Sequence, residues 1–154
     1  MELALNWPRS RTELDDLQSR RKRLAVQRAM RAPFYLDKLK GIDLDELDDP
    51  AVWARIPILE KEELRAMSAE SFYRDFCNVE RTDIAEYWRS GGTTGKPLFY
   101  PRTHEDIRHA MVGFTRTFEC MGIGAEDIAH VSFPLGIHPV GQMWSRAAEL
   151  MGVG

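Results

Sequence analysis

The chain has 154 residues, enough for one domain of ordinary size that buries about 70% of its unfolded surface. With 44% hydrophobic and 29% charged residues it has the make-up of a soluble globular protein, which excludes disorder along most of its length. A net charge of −3 gives no global attraction to nucleic acid or anionic membrane, and no run approaches the roughly 18 apolar residues of a membrane span. The N-terminus lacks the basic start and apolar core of a secretory signal. Cys77 and Cys120 sit far apart with no metal-ligand spacing, so they read as reduced thiols, at least one of them buried, in a cytoplasmic protein.

In chain order, Ser10 to Glu13 has the form of a capping box and opens a helix that carries Leu14, Leu17, Leu24, Ala25 and Ala29 to about Arg31. Pro33 ends it. Phe34, Tyr35, Leu36 and Leu39 predict a short second helix stopped by Gly41. The acidic stretch Asp43 to Asp49 lacks the central glycine and closing glutamate of a calcium loop, and its leucines point to a short helix with a polar face. Asp49-Pro50 opens another helical turn with Val52, Trp53 and Ile56. Pro57 breaks it, and Glu60 to Met67 is helical again. Trp53, Trp88 and Trp144, with Phe72 and Phe118, read as core or interdomain packing. The basic cluster Arg20 to Arg23 reads as a solvated helix face, because acidic residues share the helix and no aromatics interleave to stack on bases.

The second half changes character. Ile84 to Trp88 predicts a strand, Ser90 to Pro97 a glycine-rich loop, and Leu98 to Tyr100 a second strand. Ile107, Met111, Phe114, Phe118 and Met121 recur every three or four positions, the period of a long amphipathic helix over 105–121 that Gly122 and Gly124 end. Ile128 to Phe133 predicts a buried strand, Leu135 to Val140 a loop and Gly141 to Met151 a second amphipathic helix. Alternating strands and helices are the pattern of an α/β sheet, and a strand is expected after Met151, so the chain reads as truncated.

The loop itself runs Ser90-Gly91-Gly92-Thr93-Thr94-Gly95-Lys96-Pro97. Its glycines let backbone amides approach an anion closely, its hydroxyls suit polyphosphate oxygens, and Lys96 adds a mobile positive charge. It is not a Walker A loop: Ser90 stands where the first glycine belongs and Pro97 where magnesium needs a hydroxyl. The Rossmann fingerprint is also absent. A plain hairpin turn is the competing reading, against which stands the clustering of Ser, Thr, Thr and Lys.

This stretch resembles the phosphate loop of the adenylate-forming enzymes, and within them that of the phenylacetate–CoA ligase group, written Ser-Ser-Gly-Thr-Thr-Gly-Lys-Pro. Seven of eight positions agree, with Gly91 in place of the second serine. Ala32-Pro33-Phe34-Tyr35 is similar to that group's "PFY" segment, and Ile56 to Arg65 to its "LPFTTKEDLR" stretch, with Leu59 and Glu60 where threonines are usual. Thr103 to Gly124 resembles its "T-x-x-D" helix start and "GVxPGD" exit, and Gly136 to Gly141 its "GLFTGG"-like loop, from which His138 and Pro139 depart.

The resemblance implies an α/β fold: a helical N-terminal segment over 1–80 followed, over 81–154, by the incomplete start of the large ATP-binding domain. It implies a parent enzyme that adenylates an aryl or related carboxylic acid with ATP and Mg2+ and passes the acyl group to coenzyme A. Ser90, Gly91, Gly92, Thr93, Thr94, Gly95 and Lys96 would bind the ATP phosphates. Phe133, Gly136, Ile137 and His138 would line the acid pocket. The adenine, ribose and catalytic-lysine motifs fall outside the chain, which holds no catalytic residue and no metal ligand of its own and is expected to be inactive alone. A non-catalytic nucleotide-binding or interaction module, and an adenylating enzyme that delivers to a carrier protein, remain alternatives. No nucleic-acid or membrane partner is implied, and a homodimer is left open.

Overall fold

The computed structural model describes residues 8–91 and 97–154. The chain forms two compact units, which divide between Arg81 and Thr82.

The first unit is helical. Helix α1 (Arg11–Ala29) starts where the Ser10 side chain accepts from the Glu13 amide at 3.1 Å. The reciprocal half of the expected capping box is displaced by one residue, since the Glu13 carboxylate accepts from the Arg9 amide. Helix α1 buries Val26, whereas Leu24 on the predicted stripe is 44% exposed. Arg23 and Lys22 reach Asp45 and Asp48, so part of the basic cluster is ion-paired on the surface. Helices α2 (Pro33–Leu36), α3 (Pro50–Trp53), α4 (Lys61–Ala66) and α5 (Ala69–Ser71) are short. Pro33 opens α2 rather than closing α1, which has already ended at Ala29, since a proline is tolerated in the first turn of a helix. Their core is Val26, Leu39, Ile42, Leu47 and Val52.

Three sequence expectations fail. Residues 43–49 form turns, because Asp43 accepts from the Asp45 amide at 2.9 Å and that side-chain bond competes with a helix. Trp53 is 41% exposed beneath Lys22 rather than in the core. Neither thiol is fully buried: Cys77 is half-buried, which pushes it above the usual thiol range, and Cys120 is exposed on its helix. An unforeseen π-helical turn, Phe72–Phe76, packs Phe76 against Phe34 and Tyr35 of α2, with Phe72 against Phe76.

In the second unit, β1 (Ile84–Arg89) and β2 (Phe99–Thr103) form an antiparallel hairpin with an irregularity between Ile84 and Glu86. Helix α6 (His104–Met121) follows at once. Its capping box joins Thr103 and Asp106 in both directions. Helix α7 (Val140–Met151) packs across it, with Phe118, Ala147, Ala148 and Val153 at the centre. Phe114 and Phe118 meet Trp144 edge-on at 4.9 and 5.2 Å. Both helices end in a left-handed glycine, Gly122 and Gly152, each with φ 71°. In both, the next residue's amide reaches back to the final turn, Ile123 to Phe118 and Val153 to Ala148. Thr103→Ala removes a cap worth about 1 kcal/mol; the denaturant midpoint of the chain should fall accordingly, with Thr103→Ser retaining most of it.

The expected strand over 128–133 is irregular, and Ile128 is 90% exposed. Its backbone makes one rung of parallel type with Gly154: the Gly154 amide donates to Asp127 at 3.0 Å and the Ala129 amide to Gly154 at 2.7 Å. Among the described residues no further backbone hydrogen bond pairs the segment, and one rung does not hold a strand.

Candidate functional site

The end of β1 leads into the glycine-rich loop, and hydrogen bonding closes that loop's stem. The Ser90 amide donates to the Leu98 carbonyl at 2.9 Å, and the Leu98 amide donates to Ser90 Oγ at 2.9 Å. Ser90 Oγ accepts here through a lone pair and keeps its own proton to donate elsewhere. Gly91 is exposed, with nothing within 4 Å of where a Cβ would stand. Gly92, Thr93, Thr94, Gly95 and Lys96, the rest of the predicted phosphate set, lie outside the described residues.

The other edge of β1 meets the loop that precedes α7. The Arg89 amide donates to the Ile137 carbonyl at 3.2 Å, so the segment over 133–139 is joined to the strand one residue before Ser90. Between them lies an open cleft of about 260 Å³, walled by Glu86, Tyr87 and Trp88 of β1 and by Gly136, Ile137, Pro139 and Gln142. Gly136 and Ile137 of the predicted acid pocket therefore share one cavity. Phe133 and His138 do not line it; their rings pack on each other at 5.5 Å. His138 Nδ1 is buried without a hydrogen-bond partner among the described residues.

Sequence reasoning missed the cleft's polar wall. Glu86 Oε1 receives Arg146 of α7 at 2.7 Å, and Oε2 receives the Trp88 indole N–H at 3.0 Å. Arg102 stands opposite Glu86 in the hairpin, with its guanidinium 5.1 Å from the Trp88 ring. The Arg146 bond, seconded by that from Trp88, holds the Glu86 carboxyl below its usual range. The only available signal was the position of Glu86 and Trp88 on alternate residues of a strand that runs into the glycine-rich loop.

A depressed carboxylate stabilises the fold above its unfolded pKa, and that contribution is lost as pH falls through the lower, folded value. The chain should therefore lose more stability than Glu86→Gln as pH drops below about 4.3. Near-UV circular dichroism melts of the two proteins, compared at pH 7 and at pH 3 to 4, check this. Parallel pH curves would show that the Arg146 contact contributes nothing.

No family model matches the chain. It is 30% identical over 146 residues to a phenylacetate–coenzyme A ligase of Aromatoleum evansii, covering 93% of this chain and 32% of that protein. It is 26% identical over 143 residues to the phenylacetate–coenzyme A ligase of Escherichia coli strain K12, covering 91% and 32%. The fold superposes on 2-hydroxyisobutyryl-CoA ligase in complex with 2-HIB-AMP with a TM-score of 0.80 at 22% identity, over 94% of this chain and 31% of that one. The same ligase with 2-HIB-AMP and CoA gives 0.78 at 24% identity. The chain thus spans about a third of the length of the curated relatives it matches. It is similar in sequence to part of phenylacetate–coenzyme A ligases, and its fold is that of part of an acid–CoA ligase structure. Its mixed helical and small-sheet structure matches part of an α/β domain.

Proposed function

We propose that the parent protein is an ATP-dependent acid–thiol ligase that adenylates a small aryl or related carboxylic acid and passes the acyl group to coenzyme A. The observation that supports this most is the closed stem at Ser90 and Leu98, which flanks the serine–threonine–lysine glycine stretch in sequence and lies at the end of the strand that walls the cleft. Ser90, Gly91, Gly92, Thr93, Thr94, Gly95 and Lys96 bind the ATP phosphates, with Ser90 holding the stem as well as donating. Such donors act where charge builds on the departing pyrophosphate. Mg2+ would enter with the nucleotide and supply charge neutralisation at the phosphates; a loop of hydroxyls, amides and one lysine suits the phosphates of such a complex and offers the metal no carboxylate.

The acid lies in the cleft, with Gly136 and Ile137 at its wall and Phe133 and His138 supporting the loop from behind. The chain alone turns nothing over, in keeping with its third share of its relatives' length. The full-length gene product, given Mg-ATP, coenzyme A and a panel of aryl acids, should release pyrophosphate only when the acid is present. A folded product that binds ATP and releases none with any acid would instead be a non-catalytic nucleotide-binding module.

A further inference from the structure

The polar wall of the cleft narrows the class of acid. Trp88, Ile137 and Pro139 offer flat and apolar surface that suits an aromatic ring. Glu86 departs from an apolar lining. Its two oxygens hold Arg146 and the Trp88 indole, which fixes the carboxylate in place, and each oxygen keeps a further lone pair with which to accept. An apolar ring edge pushed against an ionised carboxylate strips its water and returns nothing. A ring that brings an O–H or N–H restores the lost hydrogen bond.

We infer that Glu86 is a specificity-determining residue and that the cleft selects aryl acids bearing a hydrogen-bond donor, a hydroxyl or amino group, on the ring. This rests on the cleft being the acid site.

Binding to the 154-residue chain tests it without requiring turnover. The reporter is the Trp88 indole N–H resonance, assigned with Trp88→Phe and titrated with phenylacetate, 4-hydroxyphenylacetate and 4-methoxyphenylacetate. The hydroxylated acid should bind about tenfold more tightly than phenylacetate, the scale of one hydrogen bond to a charged group. The methoxy acid, which keeps the oxygen and lacks the donor, should bind no better than phenylacetate. In Glu86→Leu the preference should vanish. Should that variant not fold, Glu86→Gln, which keeps the shape and loses the charge, should reduce it. Equal affinity for all three acids overturns the inference and leaves the cleft as an acid site. If no acid moves the Trp88 resonance, the cleft is not the acid site and the inference falls with it, whereas pyrophosphate release still judges the ligase reading separately.

Discussion

Replacing Lys96 with alanine should lower acid-dependent pyrophosphate release by the full-length enzyme about a hundredfold, the low end of what removing one preorganised transition-state donor costs. Lys96 is the one full positive charge in the stretch 90–97, and its neighbours are hydroxyls, backbone amides and a proline. Adenylation moves negative charge onto the leaving pyrophosphate, so a cation there acts more strongly on the transition state than on bound ATP. The loss should therefore fall mainly on kcat, with a smaller change in KM for ATP. Lys96→Arg keeps the charge on a different geometry and should recover part of the rate. Thr94→Ala removes one neutral donor and should cost less than Lys96→Ala. Ser90→Ala differs in kind: it also deprives the Leu98 amide of its partner, so it should lower stability as well as rate. Wild-type rates from Lys96→Ala would leave the loop a plain turn.

Periodic segments with strong punctuation were readable from residues alone. Helix α6 carries its apolar residues at helical spacing between a Thr103–Asp106 box and Gly122, and each of these signals acts within one turn of chain. The same holds for α7 and Gly152. Where the deciding partner is remote, local reading fails. The run Ile128 to Phe133 has strand composition, but a strand exists only against other backbone, and here a single rung to Gly154 is present. In residues 43–49 the leucines suggested a helix, while the Asp43 turn bond took the backbone elsewhere. The π-helical turn at 72–76 arises from the Cys77 amide reaching back five residues to Phe72, with aromatic packing on α2 around it, and no periodicity announces that.

The candidate site divides in the same way. Gly136 and Ile137, named through resemblance, line the cleft; the glycine-rich loop was named through its own chemistry. Glu86, Gln142 and Arg146 were not, because their roles depend on α7 and its preceding loop folding back onto β1. A glutamate on a strand is ordinary; a glutamate held between an arginine and an indole at the wall of a cavity is a property of the tertiary structure.

Gly141→Ala should destabilise the chain by about 1–3 kcal/mol, the usual cost of forcing atoms into a filled space. Gly141 lies buried in the first turn of α7, and an added Cβ would stand 2.5 Å from the Pro134 carbonyl oxygen and 2.8 Å from that of Phe133. Both are backbone atoms that cannot swing aside, so the loop over 133–138 must move or α7 must start later. Either response also shifts Ile137 and Pro139, and with them the cleft, so phenylacetate binding at Trp88 should weaken together with stability. Gly113→Ala provides the contrast. That glycine lies exposed in the middle of α6 with nothing within 4 Å of a Cβ, so alanine there should stabilise by about 0.4–1 kcal/mol through helix propensity and a less flexible unfolded chain. Two identical chemical changes of opposite sign, read from urea midpoints, separate close packing under the loop from general intolerance of the chain. A Gly141→Ala midpoint equal to that of the parent would mean that the loop before α7 yields freely, and that Gly141 does not hold the cleft in shape.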